Sequence, residues 1–67
     1  MELIRYRLAQ AILTSSYSQS ELARLLGIKH QTVNDYCRGK ALPALDTLAK
    51  LCIILDEDAN YILGIDR

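Results

Sequence analysis

Hydrogen-bonding and charged side chains are concentrated in one short stretch of the sequence, KHQTVNDYCRGK at residues 29–40. The amides of Gln31 and Asn34 each carry donors and an acceptor, and the basic side chains near them only donate. A set of this kind suits the recognition of a polar, anionic partner. The stretch therefore predicts a binding face rather than a centre where covalent bonds are made or broken.

The sequence offers no arrangement for catalysis or metal binding. No serine, histidine and acid are spaced so that helices would bring them together, and no glycine-rich loop could cradle a phosphate. His30 is the one histidine, and no partner lies at ligand spacing from it. Cys37 and Cys52 are interpreted as ordinary small residues in a reducing compartment, with a redox pair as the alternative. We therefore expect no enzyme, no cofactor, no metal and no small-molecule ligand.

Charge is divided unevenly along this chain of 67 residues, which has no net charge. Residues 1–40 carry six basic and three acidic side chains, whereas residues 41–67 carry two basic and five acidic ones. The asymmetry favours one face for an anionic partner, although chance scatter in a short chain would also produce it. No apolar run approaches the roughly 20 residues that span a bilayer, and no signal peptide is visible. We expect one cytoplasmic domain, residues 1–67, without membrane association.

Apolar spacing and turn signals predict an all-α chain. Ser18 and Glu21 form an S-x-x-E capping box that starts a helix, and Gly27 is expected to end that helix in a left-handed turn. The predicted helices run from about Glu2 to Leu13, from Ser18 to Gly27, from His30 to Cys37, from Leu45 to Leu55, and from a cap at Asp58 to Leu63. Their inward residues are predicted to be Ile4, Leu8, Ala11, Ile12, Leu22, Leu25, Leu26, Val33, Tyr36, Leu45, Leu48, Leu51, Cys52 and Leu55.

Residues 19–38 predict two short helices joined by a tight turn. The small residue Ala23 permits close approach of the second helix, Gly27 supplies the turn, and Ile28 is expected to be buried within it. Val33 faces inward from the second of the two helices. The combination is more specific than any of its members, and it predicts a helix-turn-helix, which presents its second helix to the major groove of DNA.

Residues 18–40, SQSELARLLGIKHQTVNDYCRGK, resemble the phage repressor and Cro class of helix-turn-helix domains, which are lambda repressor-like and XRE-type. The similarity extends to residues 43–55 and to NYILG at residues 60–64. It implies a compact five-helix bundle that binds double-stranded operator DNA as a homodimer, with the third helix in the major groove. The function implied is that of a sequence-specific transcriptional regulator, expected to be a repressor of a palindromic operator.

The resemblance also implies which side chains contact DNA. Base edges would be met at the start of the third helix and one turn later, by Lys29, His30, Gln31, Asn34 and Asp35. Phosphates would be met by Gln19, Arg38 and Lys40, and Thr32 could meet a phosphate or a thymine methyl group. The chemistry agrees, because Gln and Asn can bond adenine twice, Lys and His can donate to guanine, and Asp can accept from cytosine. Lys29 suits either class of contact.

Four positions depart from the pattern of this family. Ser or Thr often caps the third and fourth helices, but Lys29 and Ala44 stand there. Asp56 replaces the usual glycine or asparagine after the fourth helix, and Cys37 stands where glutamate is frequent. Lys29 is a poor cap, so the sequence places the start of the third helix only to within a residue or two.

The apolar end of the chain allows two interpretations. Tyr61, Ile62 and Ile65 are expected to contribute to a dimer interface, although they could instead close the core.

Beside the regulator hypothesis stands a protein-interaction module, antitoxin-like or an adaptor, which retains the fold and binds an unknown protein partner. A small enzyme or metal-binding protein is a more remote alternative. We expect a bacterial or phage-encoded protein that is associated with the nucleoid.

Overall fold

A computed structural model describes residues 2–65, which form five helices and, within that range, no strand. The helices are α1 (Leu3–Leu13), α2 (Gln19–Leu26), α3 (His30–Cys37), α4 (Leu45–Leu55) and α5 (Ala59–Leu63). The all-α prediction is confirmed, and the predicted helix ends agree closely with these bounds. Among the described residues, no helix has the length and apolar character needed to cross a membrane.

Three helices begin with a side chain that satisfies free backbone N–H groups. Glu2 and Asp58 each accept a backbone N–H from the first turn of α1 and α5. In the predicted capping box of α2, the Glu21 N–H donates to the Ser18 hydroxyl at 3.1 Å, and the Ser18 N–H donates to the Glu21 carboxylate at 2.8 Å. The pKa of Glu21 is lowered mainly by its hydrogen bond with the Ser18 N–H and, to a smaller extent, by its hydrogen bond with the Ser18 side chain. The box is therefore complete at neutral pH and weakens as acid protonates Glu21.

The other two helices begin without a side-chain cap. Lys29 and Ala44 hold the N-cap positions of α3 and α4 in extended backbone, and neither side chain accepts a hydrogen bond there. Short helices without caps are marginal by themselves. The positions of α3 and α4 consequently depend on the apolar residues that they bury.

One cluster of apolar side chains forms the core between the helices. α2 packs against α3, α1 packs against α3 and α5, and α4 contacts α2 and α5. No polar or charged side chain among the described residues is buried. The buried cluster consists of Leu8, Ala11, Ile12, Leu22, Ala23, Leu26, Val33, Tyr36, Leu48, Leu51 and Ile62.

Two leucines that were predicted to face the core are exposed instead. Leu25 is 51% exposed, because α2 turns Leu22, Ala23 and Leu26 inward and leaves Leu25 on the far side of the helix from Ala23. Leu45 is 82% exposed, because it is the first residue of α4 and this helix reaches the core at Leu48. Apolar spacing alone therefore overestimated the buried faces of both helices.

Asp56 ends α4 in the left-handed conformation, with φ at +54° and ψ at +46°. It is the one residue other than glycine with positive φ among residues 2–65. A residue with a Cβ atom is destabilised in this region, because the Cβ crowds the following carbonyl oxygen. The family's preference for glycine or asparagine at this position thus has a local steric reason.

Replacing Asp56 with glycine is expected to raise the free energy of unfolding by about 0.5–1 kcal/mol. The gain should exceed the entropy that glycine loses on folding, because the left-handed penalty disappears. Urea or thermal denaturation of the wild type and the D56G variant measures the difference. Asp56→Ala is the matched control: it removes the carboxylate but retains the Cβ, and should not stabilise. Equal stabilisation by both variants would assign the effect to charge rather than to backbone strain.

Candidate nucleic-acid interface

The turn between α2 and α3 fixes the orientation of α3 on the rest of the fold. Gly27 adopts the left-handed conformation, with φ at +69°, and the Ile28 N–H returns to the Ala23 carbonyl at 3.0 Å. A Cβ added at Gly27 would meet no heavy atom within 4 Å, so the backbone conformation, not crowding, requires glycine here. Ala23 and Val33 are buried, and Ile28 packs against the core from the turn. The predicted helix-turn-helix arrangement is confirmed.

The outward face of α3 brings together the residues that were predicted to contact bases. Val33 and Tyr36 are buried on the inward face, and helix geometry then turns the residues on either side of them outward. Lys29, His30 and Gln31 are exposed, and Asn34 and Asp35 are half-buried one turn later. The result is one polar surface with amide, imidazole, ammonium and carboxylate groups side by side.

Two of these side chains form a hydrogen bond with each other. The Gln31 Nε2 donates to the Asp35 Oδ1 at 3.0 Å, across one turn of α3. From the sequence, the two residues were expected to contact different bases independently. The spacing of four residues, at which glutamine and aspartate commonly pair on a helix, was the signal that could have revealed the bond.

The residues predicted to contact phosphate lie at the two ends of the motif. Gln19 is the first residue of α2 and is half-buried, whereas Arg38 and Lys40 are exposed in the turn that follows α3. That turn is ordered by its own backbone, because the Lys40 N–H donates to the Asp35 carbonyl at 2.9 Å and Gly39 has φ at +70°. Thr32 is half-buried on the flank of α3.

An arginine on α1 supports this turn and was missed in the sequence. The Arg5 Nη1 donates to the Gly39 carbonyl at 3.2 Å, joining residues 34 positions apart. In the sequence, Arg5 is recognisable only as one of the basic residues of the first 40 positions. No local pattern pairs the two residues, so this contact depends on the packing of α1 against α3.

A second arginine on α1 binds the start of the apolar C-terminal segment. The Arg7 Nη1 donates to the Tyr61 carbonyl, and the Arg7 guanidinium lies 4.1 Å from the centroid of the Tyr61 ring. Tyr61 is 47% exposed and Ile65 is 59% exposed, so both are accessible to a partner. Ile62 is 1% exposed and belongs to the core. Its predicted place in a dimer interface was wrong, because α5 turns this side chain toward α1 and α4.

Neither cysteine has the character of a reactive thiol. Cys37 and Cys52 are free and half-buried, and burial raises the pKa of both thiols. Glu57 and Asp58 further raise the pKa of Cys52. Both side chains pack against the core cluster, in agreement with their interpretation as small apolar residues. Within the described part of the chain, no group of three or more His, Cys, Asp or Glu side chains could hold a metal ion.

Comparison with known proteins agrees with this geometry. The family model described as Helix-turn-helix matches residues 7–62, and the chain belongs to this family. The chain is also similar to YonR of Bacillus subtilis (strain 168), an SPbeta prophage-derived uncharacterized HTH-type transcriptional regulator, with 40% identity over 57 residues. The match covers 85% of this chain and 53% of YonR, so the chain spans about half the length of that relative. No solved structure matches the chain significantly.

Replacing Arg5 with alanine is expected to loosen the turn that carries Arg38 and Lys40. Loss of the bond to the Gly39 carbonyl should lower the free energy of unfolding by about 1 kcal/mol and speed hydrogen exchange of the Gly39 and Lys40 amides. Denaturation and amide exchange followed by NMR measure both effects. Arg24→Ala, at an exposed arginine on α2, is the control and should change stability by less than about 0.5 kcal/mol. Unchanged protection of the two amides in the R5A variant would contradict the supporting role of Arg5.

Proposed function

We propose that this protein is a sequence-specific regulator of transcription that binds double-stranded DNA through α3, and that it acts as a repressor. The observation that carries the proposal is the polar outward face of α3, held by the α2–α3 turn. A helix presented in this way fits the major groove, where each base pair displays a distinct set of donors and acceptors. The similarity to a protein described as an HTH-type transcriptional regulator supports the same function.

In this proposal the side chains divide into two groups by chemistry. Lys29, His30, Gln31, Asn34 and Asp35 face the base edges and set the sequence preference. Gln19, Thr32, Arg38 and Lys40 contact the sugar–phosphate backbone and set the register of the helix on the duplex. The turn after α3 suits the second task, because it presents two basic side chains from a backbone held by Arg5.

We further propose that two copies bind a palindromic operator. With eight residues, α3 is about 12 Å long and can contact only a few base pairs. Two copies placed one helical turn apart, about 34 Å, would double the contacts and require a symmetric site. Tyr61 on α5 and Ile65, two residues beyond it, are exposed and apolar, and we assign both to the contact between copies.

A protein-interaction module is the second candidate, and the exposed apolar side chains favour it. Leu45 and Ile53 on α4 are among the most exposed large apolar residues of the described chain, and such residues can contact a partner. This module would use the fold to bind another protein.

In the regulator proposal, the protein acts in the cytoplasm on nucleoid DNA, without a cofactor or small-molecule ligand.

Selection from a random pool of DNA duplexes tests the proposed function. The purified chain is mixed with the pool near physiological salt, and the retained duplexes are sequenced. A palindromic motif with half-sites one helical turn apart is the expected result. A motif without symmetry would contradict the homodimer but not the DNA binding. A pool with no enriched motif would contradict sequence-specific binding and favour the protein-interaction module.

Two substitutions should separate base contacts from phosphate contacts. Gln31→Ala is expected to weaken binding to the selected site by about 1–3 kcal/mol and to relax the preference at one base position. Lys40→Ala should weaken binding to all sequences alike and reduce by about one the slope of log affinity against log salt. Fluorescence anisotropy titrations at several salt concentrations measure both quantities. A uniform loss of affinity in both variants would show that Gln31 does not select bases.

A further inference from the structure

We infer that Asp35, within the base-facing group proposed above, sets the sequence preference as a positioning residue: it orients the Gln31 amide for an adenine and excludes guanine, without contacting a base itself. The inference rests on the proposed DNA binding and defines the specificity of the same surface. Its basis is the bond from Gln31 Nε2 to Asp35 Oδ1 at 3.0 Å, on the face of α3 that points away from the core.

The bond fixes which way the amide of Gln31 points. An ionised carboxylate can only accept hydrogen bonds, and the amide oxygen of glutamine can also only accept. Asp35 can therefore pair with the NH₂ group of Gln31 but not with its Oε1. A rotation of the amide by half a turn would place two acceptors against each other, so the bonded orientation is the preferred one.

The bond also removes one of the two donors of Gln31. One N–H and the Oε1 remain, and these match the N7 acceptor and N6 donor of adenine. Guanine presents two acceptors, N7 and O6, along the same edge. A free glutamine could direct both N–H groups to guanine, but a glutamine bonded to Asp35 cannot. Asp35 thereby supplies discrimination against a competing base as well as the correct orientation.

The position of Asp35 favours this role over direct contact with cytosine. Its Oδ1 is already engaged by Gln31, and the side chain is half-buried, whereas Gln31 is exposed. A direct contact with a cytosine amino group would fall to the second oxygen, Oδ2, on a side chain that is less exposed than Gln31. Asp35 therefore acts through Gln31.

A double-mutant cycle on the full chain tests the inference. Duplex selection and competition titrations are performed with the wild type and with the D35A, D35N, Q31A and D35A/Q31A variants. The Q31A variant defines the base position that Gln31 contacts. At that position, D35A is expected to reduce the preference for adenine over guanine by about fivefold or more. In the Q31A background, the same D35A change should leave base preferences unaltered.

The conservative variant separates orientation from mere helix stability. Asparagine at position 35 can accept from the Gln31 NH₂ or donate to its Oε1, so D35N should give a preference between those of the wild type and D35A. A residue that only stabilised α3 would change affinity for all sequences alike and leave base preferences intact. In the free protein, the side-chain NH₂ resonances of Gln31 should shift in D35A, as observed by NMR.

Three outcomes would overturn the inference. Unchanged base preferences in D35A would remove the positioning role. If D35A lost a preference for cytosine at a second base position, and this loss added to the effect of Q31A, Asp35 would be a direct base contact. If the wild type enriches no motif, the proposed function and the inference are both rejected. If the wild type enriches a motif but D35A gives either of the two results above, only the inference is rejected.

Discussion

The left-handed turn at Gly27 is the constraint on which the rest of the structure depends. It changes the direction of the chain over a few residues and includes the hydrogen bond from the Ile28 N–H to the Ala23 carbonyl. α3 then meets α2 at an angle that buries Val33 and Tyr36. Because side chains leave a helix at fixed angles, burying these two residues also determines which residues point outward. A single backbone conformation thus orients the whole candidate interface.

The features that could be predicted from the sequence are those with local causes. The capping box of Ser18 and Glu21, the glycine turn at Gly27 and the cap at Asp58 each involve residues within a few positions of one another. Helix ends determined by such contacts were predicted closely. The resemblance to the family also predicted how the helices are arranged, because the family pattern carries information on packing that local spacing lacks.

The features that could not be predicted depend on how the helices meet. The exposure of Leu25 and Leu45 follows from the rotation of α2 and from where α4 reaches the core. The burial of Ile62 follows from the contacts of α5, which apolar composition at the chain's end could not reveal. The bond of Arg5 to Gly39 joins distant segments. The Gln31–Asp35 bond is different, because it has a local cause and its spacing was visible.

The left-handed conformation of Asp56 has a consequence for how the sequence can change. In the genetic code, a single nucleotide substitution converts an aspartate codon into one for glycine or asparagine, and both residues tolerate this conformation better. A more relaxed end of α4 is therefore one mutational step away. Stabilising substitutions of this kind are commonly available because selection maintains stability only above the level that function needs. The end of α4 at Asp56 is a site where such a substitution is within reach.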